Sequence, residues 1–434
     1  MTLSSNTPTQ QKMADPILVP AAAGTTKETG LSFAKTFSAL KHRNYRLWFV
    51  GQLTSLIGTW MQNVAQPWLV YQMTGSPLYL GIVSFSTAIP ALLFSLWAGV
   101  VVDRVSKRSL LLITQTVLML SAFILAADYF IGWIQPWHVV ILALVNGTAQ
   151  AFDAPTRQAI VVDMVGREDL MNGIALNSAM FNSARILGPT FAGIVLALVG
   201  AGWCFFLNGL SFIAVIAGLF MMQFPPAIAS LRTGSPAAQL REGLSYIRHH
   251  ETIRALIMLV AIANLFAMGY SSLLPAFARD VLNSGEVGLG LMSAAIGVGA
   301  LSGALVLAAT GHYQRKGILL TAGNLLFPIT VLCFALSNSF PLSLVILVFV
   351  GLSFMTQNAT CNTLIQSMVP DELRGRVMSV YMLVFNGFFP IGALIAGTVA
   401  QQFGIPFGAI FGGAIALAYS VYVFWRMPKI RKLA

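Results

Sequence analysis

The chain has 434 residues, of which 57% are hydrophobic and 9% charged, and its mean hydropathy is +0.78. A soluble protein would carry about 25% charged residues, so most of this surface faces lipid rather than water. The net charge of +11 does not mark a nucleic-acid binder, because the basic residues sit in short clusters between apolar runs, as in cytoplasmic membrane loops.

The first thirty residues are polar and rich in Thr, Pro and Ala. They lack the basic, apolar and small-residue order of a signal peptide and read as a disordered tail. Residues 33–46 form a basic amphipathic lead-in with Lys35, Lys41, Arg43 and Arg46. It is expected to lie on the membrane surface with Phe33, Phe37 and Leu40 dipped in.

Apolar runs then predict helices over 47–73, 79–102, 110–130, 136–152, 171–199 and 203–224. A second set follows over 253–277, 288–310, 318–336, 341–368, 377–399 and 406–425. The domain plan is a tail and lead-in (1–46), a six-helix half (47–224), a linker (225–252), a second six-helix half (253–425) and a short tail (426–434). With both ends cytoplasmic, the outer loops are 74–78, 131–135, 200–202, 278–287, 337–340 and 400–405. Of 25 Lys and Arg, only Arg279 falls in those loops and only Arg185 sits mid-helix; the other 23 lie on the terminal side. That asymmetry orients the chain with both termini cytoplasmic.

Other features are expected to be inert. Cys204, Cys333 and Cys361 form an odd set without CxxC spacing, which supports neither a disulfide framework nor a zinc site. His249 and His250 are adjacent, so on a helix they do not share a face and are not expected to bind metal. GxxxxGK[ST], HExxH and GxSxG are absent from the sequence. The chain is expected to be neither an enzyme nor a cofactor protein.

A shift of 204 residues aligns 147–193 with 351–397 at ten identical positions. They are Gly147/Gly351, Thr156/Thr360, Met164-Val165/Met368-Val369, Glu168/Glu372, Phe181-Asn182/Phe385-Asn386, Gly188/Gly392 and Ala192-Gly193/Ala396-Gly397. This predicts an all-α polytopic membrane protein with twelve transmembrane helices in two pseudo-symmetric halves.

Together with the loop GVVVDRVSKR at 99–108, this pattern resembles the major facilitator superfamily. Gly99, Asp103-Arg104 and Lys107-Arg108 match the superfamily's loop motif, with Ser106 where a second Gly is usual. The stretch 152–193, with Pro155, Arg157 and Gly188-Pro189, is similar to the branch holding the enterobactin exporter and macrolide and multidrug exporters.

The resemblance implies a secondary transporter of a bacterial-type cytoplasmic membrane. It would export a bulky amphipathic molecule, a siderophore or drug, by alternating access, with protons as the exchanged ion and lipid as its surroundings. A monomer is expected; a nutrient importer or lysolipid flippase of the same fold is the alternative. In that family the motif loop locks the cytoplasmic face. Asp103 would cap the helix starting near Arg374, while Arg104 and Arg108 meet carboxylates, with Asp153 a candidate partner.

In the fifth run, Arg185 lies where a charge is costly unless it faces protein or water. GPTFAG at 188–193 looks like the exporter-associated motif GPxxGG. Ala184, Gly188 and Ala192 form a small-residue seam, and Pro189 removes one helical hydrogen bond.

Family architecture points to helices 1, 4, 7 and 10 for substrate contacts. Helix 1 carries a polar stripe, Gln52, Ser55, Thr59, Asn63 and Gln66, and helix 4 offers Asn146 and Gln150. Asn264, Gln357 and Asn358 complete the substrate set, with Trp60, Trp68 and Phe266 as aromatic surface. All fourteen carboxylates lie in tails, loops or helix ends, so Asp153 is the candidate proton-linked group.

Overall fold

The computed structural model describes residues 37–433 apart from 167, 223–235 and 310–314; at 95, 96, 100, 103 and 236–239 it describes the backbone alone. The expected tail, the start of the lead-in, the first part of the 225–252 link and the Asp103 side chain therefore lie outside the described residues.

Among those residues are twelve long helical segments. The first six are α1 (Arg43–Thr74), α2 (Pro77–Arg104), α3 (Lys107–Ile131), α4 (Pro136–Val165), α5 (Leu170–Val199) and α6 (Ala201–Met221). The second six are α7 (Glu251–Val281), α8 (Gly285–Ala309), α9 (Lys316–Ala335), α10 (Phe340–Met368), α11 (Asp371–Phe403) and α12 (Ile405–Arg426). A linker helix, Pro236–His249, precedes α7. Alternating helices place both ends of the described chain on one side of the bundle, called here the terminal face, opposite the distal face.

Ten of these segments are long and apolar enough to cross a membrane; α1 and α4 are the two that fall short. The cause is polar side chains turned inward. α1 buries Gln52, Ser55, Gln62 and Gln66, and α4 buries Asn146 and Asp153.

Two helices run well past their expected ends. α4 continues from 152 to Val165, because the charges that read as a link sit on its own faces: Asp153 and Arg157, four apart, form an ion pair at 2.7 Å. Ile160, Val161, Met164 and Val165 then bury at helical spacing. α11 starts at Asp371 rather than 377. Asp371 and Glu372 occupy its first turn directly after Pro370, where negative charge meets the positive end of the helix.

The lead-in also differs from a surface-lying helix. A short turn, Ser38–Lys41, is pinned to α5: the Ala39 amide donates to Asn172 Oδ1 (3.0 Å) and Tyr45 Oη donates to the Gly173 carbonyl (2.8 Å). Leu40 packs on the protein while Phe37 is exposed. Hydrogen bonds from Ser38 and His42 hold the Asp169 carboxyl below its usual range. The linker helix docks on the start of α11, where Gly243 lies against the Arg376 carbonyl and Arg376 pairs with Glu242. His249 and His250 bond the carbonyls of Ser245 and Tyr246 within their own helix.

The repeated glycines occupy equivalent contacts. A Cβ on Gly147 would collide with the Thr87 carbonyl of α2, and one on Gly351 with the Ile296 carbonyl of α8. Gly188 packs against α1 at Ile57 and Trp60, as Gly392 packs against α7 at Asn264 and Leu265. Gly193 meets α8 at Glu286 and Gly290, as Gly397 meets α2 at Pro77 and Gly81. The first two pairs hold each half together, and the third joins the halves. The same shift of 204 relates Gly200 to Gly404, each the single residue joining two helices, at φ +87° and +101°.

Gly147→Ala and Gly351→Ala should each cost about 1–3 kcal/mol, because the carbonyl they would strike is backbone and cannot move aside. Gly99→Ala, whose Cβ would meet nothing within 4 Å, should be neutral or slightly stabilising. Thermal unfolding of the purified variants in detergent separates the two outcomes.

Candidate functional site

A cavity of about 440 Å³ lies where the two halves meet. Its walls come from both. α1 supplies Thr59, Trp60, Gln62, Asn63 and Gln66, α4 supplies Asn146 and Gln150, and α5 supplies Arg185 and Pro189. From the second half come Met268, Tyr270, Ser271, Ser272 and Leu274 of α7, Ser293 and Ile296 of α8, and Phe389 of α11. A small set of polar groups among apolar and aromatic ones is the makeup of a small-molecule site.

Local backbone chemistry explains two walls. Pro67 and Pro189 line the cavity and lie inside α1 and α5, so the carbonyls of Asn63 and Arg185, four residues back, lose their helical donors. The Arg185 carbonyl instead lies against Gly297 of α8, where a Cβ would sit 3.2 Å from it. α7 departs from α-helical geometry after Ile262, passing through a π turn (Ala263–Ala267), a 3₁₀ segment (Met268–Leu273) and a second π turn (Phe277–Val281). Irregular backbone at membrane depth is tolerated where it is buried in protein or lines a cavity, and the 3₁₀ segment does the latter.

Within the first half the amides are linked. Asn208 of α6 donates to Gln62 Oε1 at 2.7 Å, and Gln62 Nε2 reaches Gln66 Oε1 at 3.3 Å. Arg185 lies over the Trp60 ring, 5.9 Å from its centroid, which restricts the plane of the guanidinium.

Five expected substrate residues, Thr59, Asn63, Gln66, Asn146 and Gln150, come together at this cavity. Asn264, Gln357 and Asn358 do not line it. Asn264 donates to the Val260 carbonyl, Gln357 donates to Asn324 Oδ1, and Asn358 donates to the Phe354 carbonyl, all buried in packing within the second half. Trp68 is buried away from the cavity and Phe266 stacks edge-on against Phe411. Gln52 and Ser55, the start of the stripe, are likewise buried in packing. Sequence reasoning missed Gln62, Asn208 and the 268–274 segment. The first two carried a usable signal, a polar side chain within an apolar helix. Gly269, Ser271, Ser272 and Pro275 weaken α7 as a helix and mark the third.

The motif loop and its neighbours are arranged differently from the expectation. Arg108 donates to the Phe220 carbonyl at the end of α6 (3.1 Å), where unpaired carbonyls and the negative end of the helix attract it. Lys107 is the residue that meets a carboxylate, Asp163, at 2.7 Å, and Arg104 is exposed. Asp153 pairs with neither arginine of the loop. It is buried between α3 and α4, accepting from Thr114 Oγ1 (2.9 Å) and Gln115 Nε2 (2.8 Å) and pairing with Arg157.

At the distal face, polar contacts tie the halves together. Tyr71 Oη donates to Asp280 Oδ2 at 2.5 Å, Arg279 donates to the Tyr71 carbonyl at 3.1 Å, and Ser76 Oγ donates to Gln401 Oε1 at 2.7 Å. Towards the terminal face, a second cavity of about 390 Å³ opens between α2, α4 and α11, with Leu240 of the linker helix on its wall. Gln150 lines both cavities. The halves are thus joined by polar contacts at the distal face, while the two cavities lie in succession towards the terminal face.

Residues 34–433 match the sequence profile of a family described as transmembrane secretion effector. The staphyloferrin A transporter of Staphylococcus aureus (strain NCTC 8325 / PS 47) is 26% identical over 83% of this chain and 90% of its own length. The multidrug efflux pump Tap of Mycolicibacterium fortuitum is 27% identical over 81% and 88%. Macrolide efflux protein A of Streptococcus pyogenes is 22% identical over 91% and 99%. Among solved structures, the nucleoside transporter NupG superposes with a TM-score of 0.68 at 15% identity, covering 90% of this chain and 99% of that one. A bacterial homologue of the human lysosomal transporter spinster, inward-facing and unoccupied, gives 0.65 at 14% identity, over 92% and 99%. The chain belongs to the transmembrane secretion effector family, a branch of the major facilitator superfamily.

Proposed function

We propose that this protein is a secondary active exporter, moving a bulky amphipathic molecule of the siderophore or drug class out across a bacterial cytoplasmic membrane. The observation that carries the reading is the cavity itself, which is walled by both halves and lies beneath polar contacts that join them at the distal face. Such a cavity can load from one side and discharge to the other when the halves rock. Named relatives that transport staphyloferrin A, multiple drugs and macrolides support an efflux role. The terminal face is cytoplasmic in this reading, as the positive-inside distribution of Lys and Arg requires.

The cycle needs two closures. Tyr71, Arg279 and Asp280 latch the distal face while substrate enters from the cytoplasm. The motif loop with Gly99, Asp103, Arg104 and Arg108 closes the terminal face in the other state, with Asp103 at the start of α11. Gly188 and Pro189 of α5 form the surface on which α1 and α8 bear.

Proton exchange is the coupling in this scheme. Among the described residues no carboxylate lines the central cavity, so the proton-linked group lies off the substrate path. Asp153, one turn from Gln150 on α4 and paired with Arg157, fits that place: a proton on it releases Arg157 and alters the α3–α4 contact.

Everted membrane vesicles should accumulate a member of a siderophore and drug panel when a proton gradient is imposed. Absence of gradient-dependent uptake across the panel would sink the exporter reading. Asp153→Asn should abolish the response to the gradient while leaving downhill movement, and uptake that still follows the gradient removes Asp153 from the coupling.

Tyr71→Phe and Asp280→Asn should each loosen the distal face by about 1–2 kcal/mol, raising the open population about 5- to 30-fold. The readout is labelling of Gln66→Cys by an impermeant maleimide from the distal side, in a background without Cys204, Cys333 and Cys361. Unchanged labelling in both variants would remove the latch.

A further inference from the structure

Arg185 is the one formally charged side chain among the described residues that line the central cavity. The described ion pairs use other residues, and none places a carboxylate on Arg185. A guanidinium held at membrane depth without a counter-charge is costly, and the cost is relieved when an anion arrives. Its surroundings keep it available. Trp60 covers it with an aromatic face, Pro189 fixes the helix one turn on, and neutral amides of Asn63 and Gln150 share the cavity without competing as anions. The position related to it by the repeat carries Phe389, which lines the same cavity. One half therefore contributes a cation and the other an aromatic surface.

We propose that the cavity selects amphipathic anions, with Arg185 receiving a carboxylate of the substrate while its apolar body rests on Phe389, Phe212 and Ile296. The proposal rests on the transport reading above and names the chemical class that this site takes. A guanidinium presents a planar fork that matches a carboxylate with two parallel hydrogen bonds, so an ammonium is an incomplete replacement. A cationic amphipath meets a like charge with no acidic side chain beside it among the described lining residues, so the site discriminates by repulsion as well as by attraction.

The test is binding of radiolabelled cholate, a bulky amphipathic carboxylate, and of its uncharged methyl ester to the purified full chain in lipid nanodiscs. Wild type should bind cholate about 10- to 100-fold more tightly than the ester, the range of a charge-assisted hydrogen bond. Arg185→Gln should bring cholate down to the level of the ester and leave the ester unchanged, which also reports that the cavity is intact. Arg185→Lys should fall between. Equal binding of acid and ester by wild type, or a preference that survives in Arg185→Gln, overturns the proposal. If Arg185→Gln does not fold, the wild-type comparison and Arg185→Lys decide. If wild type binds neither ligand, the anion proposal fails. Gradient-driven uptake of uncharged panel members by the same protein would then leave the exporter reading standing, and loss of all uptake would remove both.

Discussion

Helix backbones in this molecule touch one another without side chains between them, and the architecture depends on that contact. Lipid tails are as apolar as leucine, so burial of apolar surface does not drive membrane helices together; close packing does. Glycine permits the approach. It recurs within each half, at Gly147 and Gly351, and again between the halves. There the Pro189 carbonyl of α5 lies 2.6 Å from where a Cβ of Gly290 would be, and the Ala393 carbonyl of α11 lies 2.8 Å from where a Cβ of Gly81 would be. Pro189 and Ala393 are themselves related by the shift of 204, so the two seams between the halves are built on one plan.

Against that packing stands the need to hold polar groups at membrane depth. α1, α4 and α7 meet it in different ways. α1 links Gln62 to Gln66 and to Asn208, so these amides pair inside the protein. α4 places Asp153 among three donors, which makes a buried carboxylate tenable. α7 spends regular backbone geometry instead, and its 3₁₀ segment becomes a cavity wall. The α7 segment and the α1 amides Gln62 and Gln66 line the central cavity, while Asp153 lies between α3 and α4. Lipid-facing surfaces keep the ordinary composition, with Trp97, Leu198 and Trp425 exposed.

The fold was legible in the sequence because lipid imposes long apolar runs, and because the repeat preserves the residues that cannot change. Gly147 and Gly188 stand out in the alignment for the same reason that they matter in the packing: each leaves no room for a Cβ, and Gly193 leaves little. Helix ends were less legible where charge occurs on a helix. Asp153 and Arg157 read as a link because a sequence does not show that they neutralise each other across one turn. The lining of the central cavity was legible on α1 and α4, where amides recur at helical spacing. In the second half the amides expected at a substrate site lie outside that lining. Asn264, Gln357 and Asn358 are the same residue types, yet their amide nitrogens donate to local acceptors and they do not line the cavity. Periodicity identifies a face, and only packing determines what that face meets.

The glycine contacts between the halves have a mechanical consequence. Gly81 with Gly397, and Gly193 with Gly290, lie towards the distal ends of their helices, where the fulcrum of the proposed rocking would sit. From Gly397 to the start of α11 at Asp371 the helix runs about 39 Å at 1.5 Å per residue. A tilt of about 10° about the fulcrum swings that far end through about 7 Å, while the distal ends move much less, as the rocking of two rigid bundles requires. The long arm ends on the terminal face, where the linker helix is fastened to α11 through Gly243, Glu242 and Arg376. In the proposed cycle a small slip at the short arm would become a doorway wide enough for a bulky molecule, and the linker helix would travel with the door.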